Sequence, residues 1–327
     1  MDCSPFRNWS VQEYPSESRR TVLFRSLVAT VKLQPALDAS LEAKAVQFLR
    51  SAIPFSTDST DAFVSNLGRT TDESMTCFVQ CVVVLISSTS QVVITAAMKM
   101  LNSLITNCSA TYRLALIKAD LIPQLIIILN PQSLSFEEAV DINFQLLSTI
   151  TDSLWLATPF FLIQLQITDR DEQQAVQKTV LKQVLYPSEK YISHLCTHHF
   201  SFMDGDLSKR FLTLIARLLK ISPYSQPTMD FVLNMPVVLT ISSSLTFFED
   251  DKTIYHFLYD MNDIQQEWNR TGGNRRQMWK TVHRMLRMEG IEDVIEERLR
   301  NDKSEYSSKF IVAYSIRWNN LLGRNLP

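Results

Sequence analysis

The densest set of soft ligands in the chain is His194-x-Cys196-x-His198-His199. On a helix, His194 and His198 lie one turn apart on one face and could chelate a metal, whereas Cys196 points about 200° away. The four therefore cannot close one tetrahedral site, and the segment reads as a half-exposed helix end before the Asp204-Gly205-Asp206 turn. Cys77 and Cys81 stand four residues apart in an apolar stretch. A redox pair needs an accessible site that lowers its pKa, and Phe78, Val82, Val83 and Val84 do not offer one, so both read as small core residues. Asp250, Asp251, Asp260, Asp263 and Glu267 invite a metal or acid–base reading. Capping and solvation of an amphipathic helix is the simpler duty for them. No Ser, His and Asp set stands in a local catalytic motif.

The strongest binding signal is basic. Between Glu267 and Glu289 there is no acidic residue, and Arg270, Arg275, Arg276, Lys280, Arg284 and Arg287 fall in that interval. On a helix Arg276, Lys280, His283, Arg284 and Arg287 share one face, opposite Met278, Val282, Met285 and Leu286. Such a ridge suits a phosphate backbone or an acidic peptide. The following segment carries Glu289, Glu292, Asp293, Glu296 and Glu297 without a cation, so a helical hairpin could instead neutralise the ridge internally.

The elements that must position these groups are helices. After Asp38, an N-cap residue, Leu41, Ala45, Phe48, Leu49 and Ala52 form one stripe that Pro54 closes. Ser90 opens a segment with Val93, Ala97, Met100 and Leu104 on one face. Ser135-x-x-Glu138 is a capping-box pattern ahead of Phe136, Val140, Phe144 and Leu147. Asp206 precedes Phe211, Leu214, Ile215 and Leu218; Asp251 precedes Ile254, Phe257, Leu258, Met261 and Trp268. Sustained two-residue alternation is missing, so an all-α chain is predicted. Short polar joints are expected at 57–60, 87–90, 131–133, 168–171, 222–227, 271–274 and 301–304.

Composition narrows the function classes. The 327 residues are 46% hydrophobic and 20% charged, a foldable globular composition. Thirty-two basic against 34 acidic residues give a net charge of −2, so any electrostatic binding must come from a local patch. Only six glycines occur, and no dinucleotide or phosphate-loop spacing can be assembled from them. Five scattered cysteines without C-x-x-C spacing suit a reducing compartment, and no secretory signal is read at the N-terminus. The uncharged stretches Ser74–Met98 and Phe231–Phe248 are interrupted by polar joints and read as pairs of shorter buried helices, not membrane spans.

The run Tyr112–Leu129, following the long helix expected from Ser90, resembles an armadillo repeat. A third helix is followed by a short first helix, and Leu121-Ile122-Pro123-Gln124-Leu125 then enters a second helix. Pro in the first turn is tolerated because its missing N–H would be unpaired there. Phe231–Leu239 repeats this order with Pro236, and Met288–Ile295 supplies a Gly290-Ile291 entry. The glycine usual in armadillo repeats is replaced by Asp120 and Asn234. Trp279 and Trp318 are followed by His283 and Leu322 where nuclear-import armadillo receptors carry Asn, so no cargo-binding role is carried over. The opening through Trp9, with Phe24–Thr30 and Leu41–Ala45, also resembles an expanded family of uncharacterised helical proteins in flagellate protists.

These resemblances imply an α-solenoid, an armadillo/HEAT-like superhelix with degenerate repeats. Residues 1–18 are expected to be an irregular segment and 19–327 one helical-repeat domain. The function expected is a non-catalytic scaffold in the cytoplasm or nucleus that binds a protein or peptide, an acidic one if the 276–287 ridge faces solvent. The alternative is nucleic-acid or phosphate binding through residues 275–287, and a third reading is an enzyme with a dispersed site. No cofactor, metal or membrane insertion is expected.

Overall fold

The computed structural model describes residues 2–10, 15–54, 56–129, 136–157, 161–162, 165–198, 205–221 and 230–247, with 257, 259–261, 287, 290, 293, 296 and 297. Among these residues there is no strand, and helices account for most of the structure. The chain divides into two compact units, Met1–Tyr191 and Ile192–Pro327.

In the first unit, polar caps start the helices. Asp38 accepts from the amides of Ser40 (3.0 Å) and Leu41 (2.9 Å) and opens α3, Ala39–Ala52. Ser90 accepts from Val93 N–H at 3.3 Å and opens α6, Gln91–Asn107, whose Val93, Ala97, Met100 and Leu104 are all buried. Thr70 does the same for α5, Thr71–Ile86, through Glu73 N–H, while the Glu73 carboxylate accepts from Arg69 N–H at 2.9 Å. The joint predicted at 57–60 is instead the first turn of α4, Thr57–Ser65. Its Ser/Thr/Asp composition reads as a loop, but Ser56 caps the helix, and Phe63 and Val64 draw it into the core. Gly68, just beyond α4, lies so close to α5 that a Cβ there would sit 2.6 Å from the Ser74 amide nitrogen.

Within residues 1–18, Ser4–Arg7 makes one helical turn, α1, and α2 spans Glu17–Leu33. Phe6 and Trp9 are buried against Phe48 of α3, with ring centroids 6.1 and 5.5 Å from it. Lys44 of α3 donates to the Arg7 carbonyl (3.1 Å), satisfying the end of α1. Arg25 of α2 donates to the Asn66 and Leu67 carbonyls just beyond α4, at 3.1 and 3.0 Å.

After α6 come α7, Ala110–Lys118, and α8, Leu121–Leu129. The residue between them that takes a left-handed conformation is Asp120 (φ 57°), the position usually held by glycine in the repeat that the sequence resembles. Pro123 sits in the first turn of α8. α9 spans Phe136–Leu154; the capping-box residue Ser135 lies outside the described residues. Helix α10, Arg170–Val180, capped by Asp169, runs through a π-turn at Leu181–Leu185 into α11, Tyr186–His198. Pro187 has no N–H for an α-helical bond to the Gln183 carbonyl; the wide turn preceding it, closed by Tyr186 N–H on Leu181 C=O, lets the helix continue.

Contacts in this unit recur at every third element. Helix α2 lies against α5 and α5 against α8; α3 lies against α6 and α6 against α9. Hydrogen bonds follow the same interval. The Pro35 carbonyl, between α2 and α3, accepts from the Ser88 hydroxyl (3.1 Å) and Thr89 amide (3.4 Å) between α5 and α6. Asp61 of α4 accepts from Ser109 N–H, at the start of α7, at 3.0 Å.

In the second unit, α12, Gly205–Ile221, packs against α13, Met235–Phe247. Phe211, Leu214, Ile215 and Leu218 are buried, as their spacing predicts. The expected break at Asn234 and Pro236 is present, with Pro236 in the first turn of α13, whereas Ser242–Ser244 stay inside that helix. Among the described residues no helix is long and apolar enough to cross a membrane.

Candidate functional site

Of the basic face, Arg276, Lys280, His283 and Arg284 lie outside the described residues. Arg287 is exposed on a helical residue, and Gly290 three positions on has φ 69°. Among the acidic residues that follow, Asp293 and Glu297 are exposed and Glu296 is half-buried. The His/Cys set is divided as the helical spacing requires: His194 is half-buried on α11, and Cys196 is 5% exposed. His199 lies outside the described residues, as do Asp250, Asp251, Asp263 and Glu267.

Three buried thiols are held in the neutral form. Burial pushes Cys81 up to about 12, with the neighbouring Cys77 adding to the rise. Burial likewise pushes Cys108 and Cys196 up to about 12. None of these three is a thiolate nucleophile at neutral pH.

What the described residues do bring together is the succession α3, α6, α9. Helix α9 buries more than one stripe. Val140 and Phe144, expected in the core, are half-buried, while Ile142, Leu146, Leu147, Ile150 and Leu154 are covered together with Asn143, Gln145, Thr149 and Thr151. The reason is that α9 is contacted from several sides, by α6, α8 and the π-turn. Some of its buried amides and hydroxyls are paired across helices, whereas Thr151 donates within α9 to the Leu147 carbonyl and the buried Ser148 hydroxyl has no hydrogen-bond partner among the described residues. Asn102 of α6 donates to the Gln145 side-chain oxygen (2.7 Å) and main-chain carbonyl (3.2 Å) and accepts from the Thr149 hydroxyl. Tyr191 donates to Asn143 Oδ1 at 3.0 Å. This layer links α6, α9 and Tyr191 through amides and hydroxyls, and no apolar periodicity marks it.

On the outer side of α3 lies a groove of about 650 Å³. Ala39, Ala43 and Val46 of α3 line it, with Val92 from the start of α6 and Trp9. Glu42 and Arg50 of α3 are also in its lining. The lining thus combines apolar side chains with one charge of each sign. Among the described residues no group of three or more His, Cys, Asp and Glu side chains could hold a metal ion. No protein-family model matches the chain, and neither does any curated protein.

Proposed function

We propose that the chain is a non-catalytic α-solenoid of degenerate armadillo/HEAT-like repeats whose surface binds a protein or peptide. The observation that carries this reading is the succession of contacts α3 to α6 to α9, paralleled by α2 to α5 to α8. Repeat architectures bury their cores in this way, each unit on its neighbours, and leave an extended surface for a partner. Hydrogen bonds support the same period, joining residues 43 to 53 positions apart: Asn102 with Gln145, Asp61 with Ser109, and Pro35 with Ser88. That interval is near the 40–47 residues of such repeats. Five free thiols suit the reducing cytoplasm or nucleus.

The 276–287 ridge recruits acidic partners in this reading. An array of defined peptides, graded from acidic to basic, tests it with the full chain and with Arg276→Glu, Lys280→Glu and Arg284→Glu combined. The chain captures acidic peptides and the triple variant loses them. Unchanged capture by a variant of lowered stability would assign the ridge to internal pairing with the 289–297 acids. The alternative, nucleic-acid or phosphate binding through residues 275–287, rests on the acid-free run of cations. RNA binding at low salt that collapses at moderate salt would favour it.

A further inference from the structure

We propose that residues 4–9 close one end of the helical stack and keep the outer face of α2 from pairing with the same face of a second copy of this chain. The inference rests on the stacked order of helices in the scaffold reading and adds what covers the end of that stack. On one side of α2, the Phe24 ring packs edge-on against Phe63 of α4 and stacks on Phe78 of α5, at centroid distances of 5.6 and 5.8 Å. Ser26, two residues on, points about 200° round the helix from Phe24, away from α4 and α5. Its hydroxyl accepts the Phe6 N–H at 2.9 Å in a buried bond, so α1 lies on the side of α2 opposite α5, the next helix of its row. Between Thr21 and Val31 only Val22 and Arg25 are exposed. Helix α2 is thus covered nearly all round, although a single helical turn is all that precedes it among the described residues. That turn has no core of its own: Phe6 and Trp9 are held by Phe48 of α3, and the Arg7 carbonyl by Lys44. Its exposed residues Ser4, Arg7 and Asn8 are all polar, the outer face that an end cap of stacked repeats needs. Phe and Trp each bury about 150–250 Å². Without them α2 and α3 expose an apolar patch of a few hundred Å², a size that marks an interaction surface. Such a patch meets its like about a two-fold axis. The pair buries less than about 1,200 Å² in total, which places it in the weak, concentration-dependent class.

Phe6→Ser and Trp9→Ser, combined in the full chain, test this by sedimentation velocity over a range of concentrations, alongside far-ultraviolet circular dichroism. The double variant keeps its helical signal and dimerises about 10-fold or more tightly than the unchanged chain. Adding Ser26→Glu to it places a charge on the uncovered face and abolishes that gain. Leu104→Ala opens a cavity in the buried face of α6 and leaves α1 seated; it controls for destabilisation and gives no such gain. A folded double variant that self-associates no more than the unchanged chain overturns the inference. So does association that Ser26→Glu leaves intact or that Leu104→Ala matches. Loss of the helical signal in the double variant also overturns it, because the turn is then part of the core that folds α2 and α3, not a cover laid on them. The acidic array reads partner capture alone, so its success beside a double variant that does not self-associate removes the cap and keeps the scaffold reading.

Discussion

Asp120 shows how a single residue records the fold. Its φ of 57° costs an L-residue energy that glycine avoids, and the short side chain of Asp keeps the cost modest. Asp120→Gly should therefore stabilise the chain by up to about 1 kcal/mol, and the β-branched Asp120→Val should destabilise it by about 1–2 kcal/mol, read from denaturant midpoints. The buried thiols make a second residue-level prediction. Cys81, Cys108 and Cys196 titrate near 12 in the folded chain against an ordinary 9.0. Their neutral forms favour the folded state, so this contribution is complete below pH 9 and is lost as pH rises from 9 toward 12. Melting temperature should fall across that window. In a thiol-reagent assay at pH 8 these three should react only on unfolding, while the half-buried Cys3 and Cys77 react first.

At the scale of the element, the stripes of α3, α6 and α12 and the caps of α3 and α6 are legible in the sequence, because one buried face and, for the first two, one capping side chain account for them. Other elements are not, each for a physical reason. The start of α4 has a turn-like composition and is helical only because Ser56 caps it over a buried Phe63. Pro187 lacks the N–H of an α-helical bond and is marked by no sequence pattern, yet the π-turn carries the chain past it. Helix α9 is contacted on more than one side, so Asn143, Gln145, Thr149 and Thr151 are core residues, and no apolar periodicity reveals them. The groove on α3 escapes a motif search for another reason. Its lining joins Trp9 and Val92, far apart in sequence, to α3, a proximity that no local spacing shows. The Asn102–Thr149 pair tests the α6–α9 alignment. Asn102→Ala and Thr149→Val should each cost about 1–3 kcal/mol. In the double variant the losses should fall short of additivity by about 1 kcal/mol, measured in a double-mutant cycle by urea unfolding.

For the whole molecule, the account depends on helices three elements apart succeeding one another in a stack. In a stack of that kind successive helices leave an extended face, which the scaffold reading uses. Had α3, α6 and α9 closed on each other as a bundle, the same apolar stripes would be buried, but no extended surface would remain. Helix spacing separates the two arrangements, since packed axes lie about 8–10 Å apart. The direct measurement is a set of three electron paramagnetic resonance distances. Rigid spin labels, introduced as non-native amino acids, replace the exposed Gln47 of α3, Lys99 of α6 and Asp141 of α9 in pairs. The account predicts that the distance from 47 to 141 approaches the sum of the other two. Three similar distances would contradict it.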